Sequence, residues 1–301
     1  MTPTRRGEST AFRLTVGVAI AVLSVAYVPV FAQMIRVWWD DPYAGHGMFV
    51  PLFSAHAVWI DRDRIRASVV GRDDRGLLLV LAGVAVLVLG HAHGSLLMAG
   101  LSFVVTLSGL VLWLWGARTV RAAAFPLGFL VLMVPLPRLF VATVTLHLQL
   151  FAARFAALVL SVLEVPVMLR GVTLELPVLT LEVAEVCNGL RFLAALLVLT
   201  LAFAHISQPT HARMILLTLS AVPLAILANA VRVTSIALAV QYFGPQAAVG
   251  FTHHAIGKGV WGLTIAALVG LGLLLRRGGR SEPVATRTVA VVQADPVVPG
   301  R

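Results

Sequence analysis

Apolar runs long enough to cross a bilayer recur along almost the whole of this chain, and nothing else constrains its fold as strongly. A membrane-crossing helix needs about 20 apolar residues. Such runs, or shorter ones of the same character, are expected at 12–33, 47–60, 76–92, 96–116, 124–136, 188–206, 213–240 and 259–275. The second and fifth are short, so either crosses fully or re-enters the face it left. Of the 301 residues, 59% are hydrophobic and 12% charged. That much apolar surface exceeds what one soluble core can bury, and lipid has to solvate the rest. The expected fold class is an all-α polytopic membrane protein with about eight transmembrane helices.

The formal net charge is +10, yet its placement excludes a nucleic-acid partner. Arg62, Arg64, Arg66, Arg72 and Arg75 crowd one short connection between apolar runs. Arg118 and Arg121 fill another, Arg213 lies in a third, and Arg276, Arg277 and Arg280 follow the last run. Cytoplasmic loops carry this excess of arginine, whereas a phosphate-binding face interleaves basic, polar and aromatic residues on a soluble surface. Eight crossings that start inside leave both termini in the cytoplasm and put every arginine-rich loop there. The cell membrane, inner or plasma, is the expected location. Arg5, Arg6 and Arg13 precede the first run, and no Ala-x-Ala site closes it, so it reads as an uncleaved helix.

The remaining segments then face outward. Residues 34–46 form a first outer loop. Residues 137–165 read as an amphipathic helix at the interface, with His147, Gln149 and Arg154 among Leu and Phe. Residues 167–183 alternate apolar and polar side chains around Gly171 and Pro177, the pattern of a short β-hairpin. Residues 1–280 are expected to form one membrane domain, and 281–301 a disordered cytoplasmic tail.

That hairpin leads to the only cysteine, Cys187, which rules out an intramolecular disulfide and a multi-thiolate metal site. Most free cysteines are small buried hydrophobes. Here, though, a helix beginning near Asn188 would place the sulfur at its N-cap, where open N–H groups and the helix dipole stabilise a thiolate. Arg191, one turn on, adds positive charge. Asn229 and Arg232 lie three residues apart in an apolar run. Arginine there either snorkels to the interface or faces protein and water, oriented by Asn229. His253, Gly257 and Trp261 recur every fourth residue and share a helical stripe; His254 points elsewhere, and residue chemistry alone does not choose between the two histidines. His46, between Gly45 and Gly47, sits in a turn entering the membrane. A thiol, an imidazole and a guanidinium at one membrane face form the constellation of a cysteine nucleophile with its base and oxyanion donor. Neither a zinc-protease His-Glu-x-x-His nor a serine-hydrolase Gly-x-Ser-x-Gly motif is present, and nothing calls for a metal or other cofactor.

In order, these residues resemble the exosortase/archaeosortase family of membrane cysteine transpeptidases. The family's marks are a Tyr-Ser-His-Gly-like loop, Glu-x-Cys-Ser-Gly-Leu, Asn-x-x-Arg and His-x-x-x-Gly-x-x-x-aromatic. Their counterparts are Tyr43 to Gly47, Glu185 to Leu190, Asn229 to Arg232 and His253 to Trp261. Two departures stand out: Asn188 replaces the serine after the cysteine, and Gly45 is an extra residue before His46. The resemblance implies Cys187, Arg232 and His253 as the catalytic set, and it selects His253 over His254. Supporting or substrate-binding roles would fall to His46, Asn229, Arg191, Asn188, Gly257 and His254. It also implies the partners: exported proteins ending in a short motif (Pro-Glu-Pro in the bacterial version), a membrane helix and a basic tail, met among membrane lipids. The rival expectation is a non-enzymatic transporter or assembly factor for exported polysaccharide or surface proteins, with the arginine and histidines lining a path.

Overall fold

The computed structural model describes residues 4–183 and 189–277. Glu185, Cys187 and Asn188, and the expected tail at 281–301, therefore lie outside the described residues. Helix α1 runs from Thr4 to Asp40, a 3-10 turn covers Gly45–Met48, and α2 and α3 follow at Val50–Ile60 and Arg62–Ala67. Helices α4 (Arg75–Ala92) and α5 (Leu96–Trp115) form a hairpin. After them come α6 (Ala117–Ala122), α7 (Ala124–Phe129), a 3-10 turn at Leu130–Met133, and α8 (Arg138–Val162). Strands β1 (Met168–Arg170), β2 (Thr173–Glu175) and β3 (Thr180–Glu182) precede α9 (Gly189–Ser207), α10 (His211–Phe243), a 3-10 turn at Pro245–Ala248 and α11 (Gly250–Arg277).

Seven helices among the described residues are long and apolar enough to cross a membrane: α1, α4, α5, α8, α9, α10 and α11. The chain is a multi-pass, all-α membrane protein. The seven differ in membership from the eight expected runs. At 11 residues, α2 rises about 16 Å, roughly half the hydrocarbon thickness. The 124–136 run is likewise divided into α7 and a 3-10 turn. These two short segments lie side by side, with the Ser54 hydroxyl donating to the Pro126 carbonyl at 2.8 Å and Phe53 packed on Phe129. Helix α8 is the amphipathic 137–165 segment, and its 25 residues also suffice to cross.

One boundary is corrected. Residues 34–40, expected in the first loop, continue α1. Tyr27, Val30, Met34 and Trp38 form one buried stripe at helical spacing, so the helix keeps its face in the core beyond the first apolar run. The Tyr27 hydroxyl bonds Ser102 and Thr106 of α5 at 3.0 and 2.9 Å, and the Trp38 indole donates to the Met133 carbonyl at 2.9 Å. Each bond satisfies a polar group that lipid could not.

The arginine-rich connections gather at one end of the bundle. Arg64 bonds Asp61 and the Ala122 carbonyl, the Thr119 hydroxyl bonds the Ser68 carbonyl, and His205 at the end of α9 contacts Asp61 at 3.3 Å. Gln208 joins the Gly272 carbonyl at the same end. At the opposite end the expected hairpin is a three-stranded antiparallel meander, pairing Leu169 with Leu174 and Leu174 with Leu181. Leu174 and Leu181 point into a core shared with Ala152, Ala156 and Leu160 of α8 and Val233, Ile236 and Val240 of α10. This packing seats the meander on the core that α8 and α10 share, and β3 ends just before the segment that holds Cys187.

Candidate active site

The first wall of the site is α10. Asn229 and Arg232 are one turn apart, with Ala228, Ala230 and Val233 buried around them. The chain reverses after α10 through Gly244 (φ +90) and the 3-10 turn, then enters α11 at Gly250 (φ +70). These left-handed glycines turn the chain sharply enough to lay the first two turns of α11 against Arg232. Arg232 Nη2 lies 3.1 Å from His253 Nε2. A guanidinium is always protonated, so Arg232 donates and His253 accepts, which places the imidazole proton on Nδ1.

Gly257 completes this arrangement. A Cβ there would stand 3.3 Å from Arg232 Nε and 3.4 Å from Cζ, so the missing side chain is what lets the guanidinium lie across α11. Gly189 does the same for α9: a Cβ would come 2.9 Å from Asn229 Nδ2 and 3.6 Å from Leu148 Cβ. The start of α9, two residues after Cys187, therefore rests directly on Asn229.

These residues enclose a cavity of about 280 Å³ lined by Phe192, Asn229, Arg232, His253, His254 and Trp261, with Lys258 at its edge. Arg232 and Lys258 make its electrostatics cationic, and among the described residues no carboxylate lines it. Among the described residues, Arg232 Nε is buried without a hydrogen-bond partner, while the His253 ring has the Ala248 backbone as a neighbour for its second nitrogen. Buried polar atoms are nearly always paired, so Arg232 Nε is a donor left without an acceptor beside this cavity. His254 stands edge-on to His253, ring centroids 5.7 Å apart, and is exposed; the bond from Arg232 distinguishes His253 from it.

Of the other expected residues, Arg191 and His46 line a second cavity, which shares Trp261 with the first. Burial pushes the His46 imidazole below its usual range, and hydrogen bonds with the Leu132 and Tyr43 backbone only partly oppose this. Lys258 and Phe192 were not among the expected site residues, whereas Trp261 lay on the stripe with His253 and Gly257. Helical spacing could have found Lys258, because it follows His254 by four residues and so shares its face. Phe192 gave no such signal.

A family model described as "Transmembrane exosortase" matches residues 38–270, about three quarters of the chain. The chain belongs to the transmembrane exosortase family. No curated protein and no solved structure matches it. All four motif blocks fall inside the family match, from Tyr43 in the first to Trp261 in the last. In this exosortase the last two blocks meet in space through Arg232, His253 and Gly257, and the second abuts the third through Gly189 and Asn229.

Proposed function

We propose that this exosortase is a cysteine protease/transpeptidase that cleaves the C-terminal sorting signal of exported proteins (short motif, membrane helix, basic tail) through a thioester on Cys187. The observation that carries the reading is the Arg232–His253 pair, held at 3.1 Å over a glycine and facing the helix whose first residue follows Cys187 by two.

In the resting site Arg232 occupies the basic nitrogen of His253. An entering substrate carbonyl competes for the guanidinium N–H and frees Nε2. The Cys187 thiol then gives its proton to His253, and the sulfur attacks the carbonyl carbon. Arg232 donates to the oxyanion. As the intermediate collapses the C–N bond breaks, and His253 returns the proton to the departing amine at the head of the substrate's membrane helix. An amine or water then attacks the thioester and releases Cys187. Asn229 orients substrate backbone or the cysteine segment. The arginine-rich end faces the cytoplasm and the cavity faces outward, consistent with the arginine bias of cytoplasmic loops.

The test is processing of a substrate of this class in membranes. Cys187→Ala is expected to abolish cleavage, and Arg232→Lys to lower kcat about 10²–10³-fold by removing the planar donor. Normal processing by Cys187→Ala overturns the reading.

A further inference from the structure

The second cavity, about 580 Å³, is a groove running down α9. One wall is Arg191, Ala195, Val198, Leu199 and Ala202, a single face of that helix extending about 16 Å. The facing wall is Trp38, His46, Phe49, Phe53 and Phe129, from α1, the 3-10 turn, α2 and α7. The groove thus lies on the seam between the N-terminal helices and the α8–α11 group. It is closed at its deep end, where Ala202 packs into the core beside Phe129.

Three features make it a seat for a helix. Its α9 wall is small at Ala195, Val198 and Ala202, the spacing that lets another helix approach closely in lipid. Its other wall is aromatic and apolar apart from Asp41 and His46, so it favours an apolar occupant. It also adjoins the Arg232–His253 cavity, since Trp261 lines both. Arg191, at the start of the α9 wall, is exposed and forms no ion pair among the described residues.

Resting on the function proposed above, we infer that this groove seats the substrate's membrane helix. The helix enters sideways from lipid along α9, its apolar side chains against Phe49, Phe53 and Phe129. The peptide bond just beyond its end is thereby delivered to Arg232 and His253, with Arg191 over the segment that leaves the groove.

The test uses the full chain in membranes with a substrate carrying the motif, helix and basic tail. In a Cys187→Ala background, Val198→Cys is paired with single cysteines scanned through the substrate helix and oxidised. Leu219→Cys, on the exposed face of α10, is the control. Disulfides from Val198 recurring every three to four substrate residues, at least tenfold above the control, are expected. Crosslinking no better than from Leu219 marks the groove as a seat for lipid and overturns the inference. Independently, Ala195→Trp with Cys187 intact is expected to lower kcat/KM at least tenfold, mainly through KM, while Leu219→Trp, on the exposed face of α10, stays within twofold. Wild-type kinetics in a folded Ala195→Trp protein also overturn it. Failure of the thioester chemistry reads out differently, as cleavage that survives Cys187→Ala, and leaves the crosslinking result intact.

Discussion

Gly257→Ala separates catalytic geometry from stability. The added methyl would sit 3.3–3.4 Å from three guanidinium atoms of Arg232, where a relaxed contact is about 3.5–4.0 Å. The guanidinium has to retreat by roughly 0.4 Å, which stretches the 3.1 Å bond to His253 toward the limit of hydrogen bonding. A misplacement of about 1 Å costs about 10²-fold, so a shift of this size costs about 5–10-fold in rate, near 1 kcal/mol. The fold moves the other way, since alanine is favoured over glycine in a helix by about 1 kcal/mol. The assay is kcat/KM for signal cleavage alongside the thermal midpoint in the same detergent. The expected result is a 5–10-fold loss of activity with an unchanged or higher midpoint. Wild-type kcat/KM would refute the claim that the guanidinium position matters, and equal losses of activity and stability would reduce Gly257 to a packing residue.

Three further outcomes follow from the structure. His253→Asn is expected to lose at least 10³-fold in kcat while His254→Asn stays within threefold, as measured by single-turnover cleavage, because only His253 meets Arg232. His46 has its pKa lowered by burial, so the unfolded chain binds the proton more readily than the folded one. Its contribution to stability is present above about pH 6.5, the unfolded value, and is lost as the pH falls below it. The thermal midpoint should accordingly drop between pH 7.5 and 5, and His46→Gln should flatten that drop. A membrane-impermeant maleimide should label Cys187 in intact cells; labelling confined to inverted vesicles would reverse the proposed orientation.

The sequence carried the class of fold and the chemistry of the site further than it carried helix boundaries. Runs such as 76–92 and 96–116 match α4 and α5 to within a residue, because apolar length is what lipid selects. The end of α1 was hidden because Arg36 and Asp40 interrupt the apolar run, while the stripe through Met34 and Trp38 that extends the helix depends on partners in α5 and the 130–133 turn. The same dependence on distant partners explains why 47–60 and 124–136 are short helices: Ser54 and Pro126 satisfy each other. At the site, the stripe through His253, Gly257 and Trp261 was legible from spacing. The Arg232–His253 bond was not, since it requires the reversal at Gly244 and Gly250. The groove along α9 was also invisible, because its two walls come from stretches about sixty or more residues apart in the chain.

The central claim is that Cys187 carries the substrate's acyl group, and trapping that adduct tests it most directly. Wild-type protein mixed with substrate and quenched in acid within a single turnover should carry the substrate's N-terminal fragment on Cys187, released by neutral hydroxylamine. Substrate that is cleaved with no such adduct at any time point, and equally well by Cys187→Ala, would contradict the account.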